Sequence, residues 1–475
     1  MSWLRLTQGR IPRSMLKIDL QKAYDSVEWP FLEQVMEGLG FPDLFTQWVM
    51  KCVKTVNYTI VVNGQNTQRF DAAKGLRQGD PMSPFLFTLA MEYLSRLLKG
   101  LKEEKNFKYH PKCAKLDVTH LCFADDLLLF SRGDLNSIKE LHKCFTEFSQ
   151  ASGLQANLNK SSIYCGGVQK EVRQQIVQQL GYTIEELPFK YLGVSLSLKK
   201  LNTIQWYPLI DKIMARINSW TAKKLSYAGR AQLVKTVLFG VQAYWAQLFI
   251  IPAMIIKLIE GLCRSYLWSG VGYVTKKALI AWDEVCSPKY EGGLGLINLK
   301  TWNRSAIAKL CWDLANKEDK LWIKWIHAYY IKGQREWKIS NNASWMVQKI
   351  MSTKATVDQV QQQQNKGRGI LRHMYYHMTR RQPKPAWTCF MYSNASRPKA
   401  YNIMWMMMNQ KLATVDRLTR WGLEVDKTCV LCKNADETTK HLFLQCQFAR
   451  KLWERVLRMV EHQGTIPMVW EQFQQ

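Results

Sequence analysis

The sequence predicts a domain of mixed strands and helices, of the α/β or α+β class, followed by a helical region and a metal-binding segment. Residues 1–198 alternate short apolar runs with turns marked by Gly and Pro, which is typical of mixed domains. From about residue 199 the pattern becomes helical and rich in Trp. The chain has 475 residues, enough for about three domains of ordinary size.

The composition indicates a folded protein that attracts polyanions. Lys and Arg total 66 against 38 Asp and Glu, which gives a formal net charge of +28. This field favours nucleic acid or an acidic membrane surface as a partner. Apolar residues at 47% and charged residues at 22% exclude disorder, collagen and coiled coil as overall classes. The 12 cysteines follow no apolar secretory segment, so we expect a reducing compartment.

Hydrophobic periodicity predicts the first elements. An apolar run leads to Asp19 and predicts a strand that ends there. Residues 85–99 have apolar side chains at intervals of three and four, which predicts a helix that begins after Pro84. Residues 118–122 and 127–130 predict two short strands around a tight turn.

One uncharged stretch, residues 236–256, has the length of a membrane span. It contains Gln242, Gln247 and Pro252, and basic residues flank it closely. We therefore interpret it as a buried helix and predict no membrane partner.

Two stretches are strongly basic. Residues 187–259 contain ten basic residues and one acid, which suits either a surface along a phosphate backbone or an ordinary solvated face. Residues 359–415 contain nine basic residues and no acid. Aromatic residues are interleaved there, namely Tyr375, Tyr376, Trp387, Tyr392, Tyr401 and Trp405. The second stretch fits either stacking on single-stranded nucleic acid or a small basic domain with an aromatic core. Residues 351–369, which include four consecutive glutamines, predict a polar linker between these regions.

Acidic residues mark a candidate metal site. Asp19 ends a predicted strand, and Asp125 and Asp126 lie between two apolar strands. A loop at residues 74–84, rich in Gly and Pro, carries Arg77 and Gln78 for contact with phosphate or base. Taken singly, the acid pair is also typical of a solvated turn, and the loop is typical of a helix entry.

The combination favours metal-assisted chemistry on a nucleic acid. Carboxylates brought together repel each other unless a cation lies between them. Mg²⁺ prefers oxygen ligands and shares them with substrate phosphates. Two such ions, about 3.5–4 Å apart, can clamp the attacking and leaving oxygens of an in-line displacement.

The order of these motifs resembles that of reverse transcriptases of non-LTR (LINE-type) retrotransposons, especially those of plants. Residues 17–25 (KIDLQKAYD), 75–84 (GLRQGDPMSP) and 123–126 (FADD) resemble motifs A, B and C. Residues 152–160 (SGLQANLNK) resemble motif D, and residues 190–194 (KYLGV) resemble the primer-grip segment. Residues 291–299 (EGGLGLINL) resemble a downstream segment of the same elements.

The resemblance implies a role for individual residues. The metal-binding acids would be Asp19, Asp125 and Asp126, of which Asp19 and Asp125 would contact both ions most directly. The nucleotide and template would meet Tyr24, the aromatic gate at the sugar 2′ position, together with Arg77, Gln78 and Gly79. Lys160 would donate a proton to the leaving pyrophosphate, or it is simply an exposed loop lysine.

A second metal site is indicated near the C-terminus by Cys429, Cys432, His441 and Cys446. Three thiolates and one imidazole at this spacing can enclose a tetrahedral Zn²⁺, and coincidental core cysteines are the alternative. The segment resembles the zinc-binding domain at the end of plant LINE-type reverse transcriptases. We therefore expect one structural Zn²⁺ within a domain at residues 370–475.

The resemblance implies an α+β fold of the right-hand polymerase type. Residues 1–198 would form the palm, residues 199–350 a helical thumb-like region, and residues 351–369 the linker. The implied activity is RNA-directed DNA polymerisation with two Mg²⁺ ions. The implied partners are an RNA template, a DNA primer and deoxynucleotide triphosphates, and the resemblance suggests nuclear residence without indicating an oligomeric state.

The sequence departs from the family pattern at its start. Motif A begins near residue 17, whereas family members have a fingers region before it. We therefore expect an N-terminally truncated reverse transcriptase, whose activity is open. The alternative is a catalytically inactive, nucleic-acid-binding relic of such an element.

Overall fold

The computed structural model describes residues 11–197, 200–221, 225–332, 337, 343–361, 369–379, 383–388 and 397–459. The chain forms two compact units, which are described separately below. The first contains residues 1–201 and 317–348, and the second contains residues 202–316 and 349–475.

A mixed sheet forms the centre of the first unit. Its strands are β1 (Arg13–Gln21), β6 (His120–Phe123), β7 (Asp126–Arg132), β8 (Gln155–Ala156), β9 (Ser162–Gly166) and β10 (Thr183–Ile184). Their order is β10–β9–β1–β7–β6, and β8 also pairs with β1. Three short hairpin pairs lie outside this sheet, formed by β2 (Asn57–Tyr58) with β5 (Phe70–Asp71), β3 (Val61–Val62) with β4 (Gln65–Asn66), and β11 (Phe189–Tyr191) with β12 (Val194–Leu196).

Strand β1 is central because it pairs with β7 on one side and β9 on the other, and each of its faces contributes to a hydrophobic core. Leu16, Ile18 and Leu20 belong to the main hydrophobic core on one face of the sheet. Met15 immediately precedes Leu16, so it lies on the opposite face and belongs to a second hydrophobic core there. Since side chains alternate along a strand, odd-numbered residues of β1 share the face of Met15. That face therefore also receives Lys17 and Asp19.

Helices cover the first face of the sheet. They are α1 (Ala23–Ser26), α2 (Trp29–Gly38), α3 (Asp43–Lys54), α4 (Ser83–Gly100), α5 (Leu135–Ser152) and α6 (Lys170–Leu180). Helix α4 packs against α2 and α5, and its apolar residues at three- and four-residue spacing are buried. The helix predicted over residues 85–99 is confirmed, with Pro84 in its first turn.

The predicted pair of strands around Asp125 is also present, with shifted bounds. Strand β6 begins at His120 rather than at residue 118, and β7 extends to Arg132. The tight turn between them is made by Ala124, which has a positive φ of 49°. The mostly antiparallel central sheet, together with the helices that pack on it, agrees with the predicted α+β class.

Residues 317–348 pack with the first unit, although the sequence predicts that they belong to the helical region. Helix α13 (Leu321–Ile326) and a π-helical turn (His327–Ile331) lie in this segment. The indole N–H of Trp325 donates to the Lys112 carbonyl at 2.6 Å, and the Lys115 N–H donates to the Tyr329 hydroxyl at 2.9 Å. These contacts join residues more than 200 positions apart.

The second unit is helical in its described parts. Its helices are α7 (Tyr207–Thr221), α8 (Tyr227–Leu233), α9 (Phe239–Leu248), α10 (Ala253–Ser269), α11 (Trp282–Cys286), α12 (Leu299–Ala315), α14 (Trp345–Met351), α15 (Lys354–Gln361), α16 (Ile370–Met378), α17 (Pro398–Met408), α18 (Val415–Arg420) and α19 (Gln447–Met459). Helix α14 begins in the first unit. Helix α15 lies inside the predicted linker, where Val357 and Val360 are buried.

The uncharged stretch at residues 236–256 is not one helix. Helix α9 ends at Leu248, and α10 begins at Ala253 after Pro252. Proline cannot donate the backbone hydrogen bond that a continuous helix would need there. Within the described ranges, no helix combines the length and the apolarity needed to cross a membrane.

The glycine-rich segment at residues 291–299 packs closely within the second unit. The Gly292 carbonyl accepts a 2.7 Å hydrogen bond from the indole of Trp405, which is 1% exposed. Tyr375 and Trp387 are likewise buried, so these three aromatic residues are core rather than a stacking surface. Tyr376 is exposed, and Tyr392 lies outside the described residues.

Helix α10 carries a half-buried acid, Glu260. Burial raises the pKa of Glu260 to about 7, and the nearby carboxylate of Asp283 acts in the same direction. The cations Lys300 and Arg264 oppose this effect. Glu260 therefore carries an electrostatic cost when it ionises.

Candidate active site and zinc site

Two of the predicted metal-binding acids lie opposite each other at the end of two central strands. Strands β1 and β7 are antiparallel, and their register pairs Asp19 with Asp126. Directly opposed residues of an antiparallel pair have their Cβ atoms about 4.5–5.5 Å apart and share one face of the sheet. That face is the one that carries the β11–β12 hairpin, because Tyr164 of β9 packs against Phe189.

The third acid, Asp125, lies in the turn between β6 and β7. Its backbone carbonyl accepts a 3.2 Å hydrogen bond from the Leu20 N–H, which fixes the turn beside β1. Its side chain is exposed, whereas Asp19 and Asp126 are half-buried. The three predicted acids are thus brought to the same end of the sheet, two on strands and one in the connecting turn.

The electrostatics of this end of the sheet favour a bound cation. Burial raises the pKa of Asp126, the charge of Lys17 lowers it, and the charges of Asp125 and Asp19 raise it further. Among the described residues, the only cluster whose ligand atoms all lie within 4.8 Å of one another is the cysteine–histidine cluster described below. The three aspartates therefore lie at the same end of the sheet, but their carboxylate oxygens do not all lie that close to one another. A set of carboxylate oxygens that repel each other fits a hard cation such as Mg²⁺.

The loop at residues 157–161 holds the backbone of Asp19. The Asn157 N–H donates to the Asp19 carbonyl at 2.8 Å, and the Asp19 N–H donates to the Ser161 hydroxyl at 3.1 Å. Lys160 lies between these two residues and its side chain is exposed. The predicted proton donor therefore belongs to a loop that is bonded directly to the predicted metal ligand.

The predicted nucleotide loop is bonded to helix α1. The Leu76 N–H donates to the Tyr24 carbonyl at 2.6 Å, and the Gly75 N–H donates to the Val27 carbonyl at 2.8 Å. Gly75 has a φ of +92°, and a Cβ there would lie 2.8 Å from the Asp25 carbonyl oxygen. Only glycine fits this close approach without strain.

The side chains of this loop differ in their surroundings. Arg77, Gln78 and Gly79 are exposed, and the Gln78 amide donates to the Asp25 carboxylate at 3.4 Å. Tyr24 is half-buried, and its ring stacks on Phe87 with centroids 5.0 Å apart. The loop is therefore hydrogen-bonded to helix α1, which contains the predicted gate and follows the strand that carries Asp19.

Sequence reasoning missed two residues near the acids. Tyr191 lies on the β11–β12 hairpin, where burial, followed by the charge of Asp126, raises its pKa to about 12. Lys17 lies two residues before Asp19 on the same face of β1. The motif at residues 17–25 contained Lys17, but only the pairing of β1 with β7 reveals its closeness to Asp126.

The predicted zinc ligands come together in the second unit. One ligand atom from each of Cys429, Cys432, His441 and Cys446 lies within 4.8 Å of all the others. The Cys432 sulfur and the His441 Nε2 are 3.1 Å apart. Zinc lies about 2.0–2.3 Å from nitrogen and sulfur ligands, so a tetrahedral ion fits among these four atoms.

Local backbone structure arranges these ligands. The Lys433 N–H donates to the Cys429 carbonyl at 2.8 Å, and the Cys429 N–H donates to the Ala435 carbonyl at 2.8 Å, which folds a tight knuckle around the first pair. His441 begins a π-helical turn (His441–Gln445) that Cys446 follows, and the Cys446 N–H donates to the His441 carbonyl at 2.7 Å. This turn brings His441 and Cys446 close to Cys429 and Cys432.

The surroundings of Cys432 favour its metal-binding thiolate form. The backbone N–H of Asn434, followed by the side chain of His441, lowers the pKa of Cys432 to about 7. Burial raises the pKa of Cys429, so metal binding there also has to displace the thiol proton. The thiolate is the form that binds metal, so the donor set and its geometry fit Zn²⁺.

Comparison with known proteins identifies two domains in the chain. Residues 5–196 match the family described as reverse transcriptase (RNA-dependent DNA polymerase). Residues 370–453 match the family described as zinc-binding in reverse transcriptase. The first match contains all the predicted catalytic and nucleotide-binding residues, and the second contains all four predicted zinc ligands.

Relatives share only parts of this chain. A putative ribonuclease H protein of Arabidopsis thaliana is 30% identical over 32% of this chain and 24% of its own length. A Pol polyprotein from the type-1 retrotransposable element R2 of Popillia japonica is 26% identical over 50% of this chain and 40% of its own length. The chain thus spans less than half of these curated relatives. A telomerase structure from Candida albicans overlaps 73% of this chain and 47% of its own, at 12% identity and a TM-score of 0.34.

Proposed function

We propose that this chain, which carries a reverse-transcriptase domain at residues 5–196 and the zinc-binding domain of reverse transcriptases at residues 370–453, is an RNA-directed DNA polymerase of a LINE-type, non-LTR retrotransposon. The observation that carries the proposal is the register of β1 and β7, which pairs Asp19 with Asp126 beside Asp125. The substrates are an RNA template, a DNA primer and deoxynucleotide triphosphates.

The carboxylates would hold two Mg²⁺ ions, with Asp19 and Asp125 as the principal ligands and Asp126 as the third. When bound, such ions stabilise the attacking primer 3′-oxygen and the leaving pyrophosphate of an in-line displacement. The protein's own contribution is to position these carboxylates. Asn157 and Ser161 fix the backbone of Asp19, and the β6–β7 turn fixes Asp125.

The surrounding residues would select and orient the nucleotide. Tyr24, stacked on Phe87, is the proposed gate at the sugar 2′ position, where a rigid ring would exclude a hydroxyl group. Arg77, Gln78 and Gly79 are exposed on a loop anchored to α1, which suits contact with the nucleotide and template. In the reaction, the primer 3′-hydroxyl gives up its proton to solvent and its oxygen forms a bond to the α-phosphorus, while the bond from the α-phosphorus to the oxygen that bridges to the β-phosphate breaks. Lys160 would give a proton to the pyrophosphate that leaves.

The second unit would serve nucleic-acid binding. We propose that its basic helices after residue 199 act as the thumb-like region and that the zinc-binding domain at residues 370–475 contacts the template or primer. The excess of basic over acidic residues along the chain supports this role. Zn²⁺ would have a structural role, since its four ligands leave no open coordination position.

Primer extension on an RNA template tests this proposal. The purified chain is compared with Asp125→Asn and with a matched control, Asp43→Asn, at an exposed position in the first turn of α3. We expect extension by the parent and the control and loss of extension in Asp125→Asn, with RNA affinity unchanged in all three. Absence of extension in every protein, with salt-sensitive RNA binding retained, would instead favour a catalytically inactive, nucleic-acid-binding relic.

A further inference from the structure

The face of the sheet that carries the proposed metal-binding acids also carries a cation. Lys17 lies on β1 two residues before Asp19, and side-chain alternation puts both on the same face. Strand β1 is central, so Lys17 has a neighbour on each side, Leu128 of β7 and Ser162 of β9. Lys17 is half-buried in this position.

Lys17 is close enough to the acids to act on them through its charge. Asp126 pairs with Asp19, which makes it the diagonal neighbour of Lys17 across the two strands. Diagonal positions of an antiparallel pair are about 7–8 Å apart, within reach of a long side chain.

The other described neighbours of Lys17 on this face include two apolar residues and a carboxylate that already accepts a hydrogen bond. Met15 and Leu128 are buried apolar residues on the same face. On the side of β9, the Ser162 hydroxyl donates to the Tyr164 hydroxyl, which in turn donates to the Glu185 carboxylate at 2.6 Å. Glu185 therefore already has a strong hydrogen-bond partner.

We propose that Lys17 is a built-in counter-ion of the carboxylate site, which steadies the acids when no metal is bound and limits how tightly the free protein holds a divalent cation. Three ionised acids and one lysine leave a net charge of −2, which matches one divalent ion. A second ion would need further anionic ligands, which a nucleotide triphosphate supplies. Lys17 is thus a positioning residue, and this inference rests on the proposed function.

The proposal predicts two effects of opposite sign when the charge is removed. In Lys17→Met, the metal-free protein should be less stable, because the acids repel each other without compensation. The same variant should bind a divalent cation more tightly, because a competing positive charge has gone. A residue that only packed against its neighbours would not produce the second effect, since its loss would weaken the site in both states.

Mn²⁺ titration of the full, zinc-loaded chain measures this directly, with free Mn²⁺ followed by electron paramagnetic resonance. With the Lys17 charge about 7–8 Å from the ion, Coulomb's law with the dielectric constant of water gives about sixfold tighter binding in Lys17→Met at low ionic strength. Lys17→Arg should match the parent, because it keeps the charge. Lys17→Gln also removes the charge but is polar, so it should bind Mn²⁺ as Lys17→Met does. It replaces Lys17→Met in the titration if that variant does not fold.

Equal or weaker Mn²⁺ binding in Lys17→Met and Lys17→Gln would overturn the proposal. Asp19→Asn separates this failure from failure of the proposed function. If Asp19→Asn binds Mn²⁺ as the parent does, the ion is not at these carboxylates and both proposals fail. If Asp19→Asn loses the ion while the Lys17 variants match the parent, only the counter-ion role is refuted.

Discussion

Removing zinc should unfold the segment around the zinc site, residues 428–446, because the free energy of metal binding exceeds that of the hydrophobic burial around the site. The hydrophobic cluster around the site consists of Cys429, Cys446 and Ala449, with Cys432 and Leu442 packed against it. Apart from the cysteines, it buries one alanine and part of one leucine. Their burial is worth about 2–3 kcal/mol. A structural zinc site of this kind contributes about 10–16 kcal/mol of apparent free energy at neutral pH.

These two free energies predict which residues unfold when zinc is removed. Chelation should expose backbone amides of residues 428–446, whose hydrogen bonds form the knuckle and the π-helical turn. The backbone amides of helix α19 should also become exposed, because the indole of Trp453 donates to the Phe443 carbonyl of that turn at 2.9 Å. The sheet of the first unit has a large core of its own and should be unaffected.

Hydrogen–deuterium exchange with and without chelator is the appropriate assay. We expect Cys446→Ser to exchange like the chelated parent at residues 428–446. Cys52→Ser, at an exposed cysteine of α3, is the matched control and should exchange like the zinc-loaded parent. Unchanged protection of residues 428–446 after chelation and in Cys446→Ser would refute the reasoning.

Three further predictions concern single positions. Trp405→Phe keeps an aromatic ring but loses the 2.7 Å hydrogen bond to the Gly292 carbonyl, so urea denaturation should show a loss of about 1 kcal/mol. Burial raises the pKa of Glu260 to about 7, so its ionisation lowers stability as the pH rises through that value. Glu260→Gln should therefore melt higher than the parent at about pH 8, with a much smaller difference at about pH 5. Gly75→Ala should strain the loop against the Asp25 carbonyl by about 1–3 kcal/mol and reduce primer extension, and a variant with parental melting and activity would contradict this.

Local pattern was sufficient to predict much of the fold. The spacing of apolar residues in α4 and the apolar runs of β1 and β7 give the element types directly. The position of residues 317–348 could not be predicted, because it depends on contacts such as that of Trp325 with Lys112 across the chain. Helix α15 was missed because its polar, Gln-rich sequence obscures the two valines that it buries.

The candidate site, like the fold, could be predicted only in part from the sequence. The order of the motifs predicted that Asp19 and Asp126 belong together, but not that they are direct partners in the β1–β7 register. The bonds from Asn157 and Ser161 to the Asp19 backbone follow from tertiary structure. Lys17 was inside a recognised motif, yet its role depends on which residue lies diagonal to it. The zinc ligands were predictable because their spacing in sequence is itself the constraint on the knuckle.

Single-nucleotide incorporation by the parent and Asp19→Asn, with template–primer affinity measured on the same samples, tests the central claim most directly. Metal-bound carboxylates supply several kcal/mol of transition-state stabilisation, and each 1.36 kcal/mol is tenfold in rate. We therefore expect incorporation to fall by at least about 10³-fold in Asp19→Asn while the affinity for template–primer is unchanged. Equal incorporation by the two proteins would contradict the assignment of the carboxylate site.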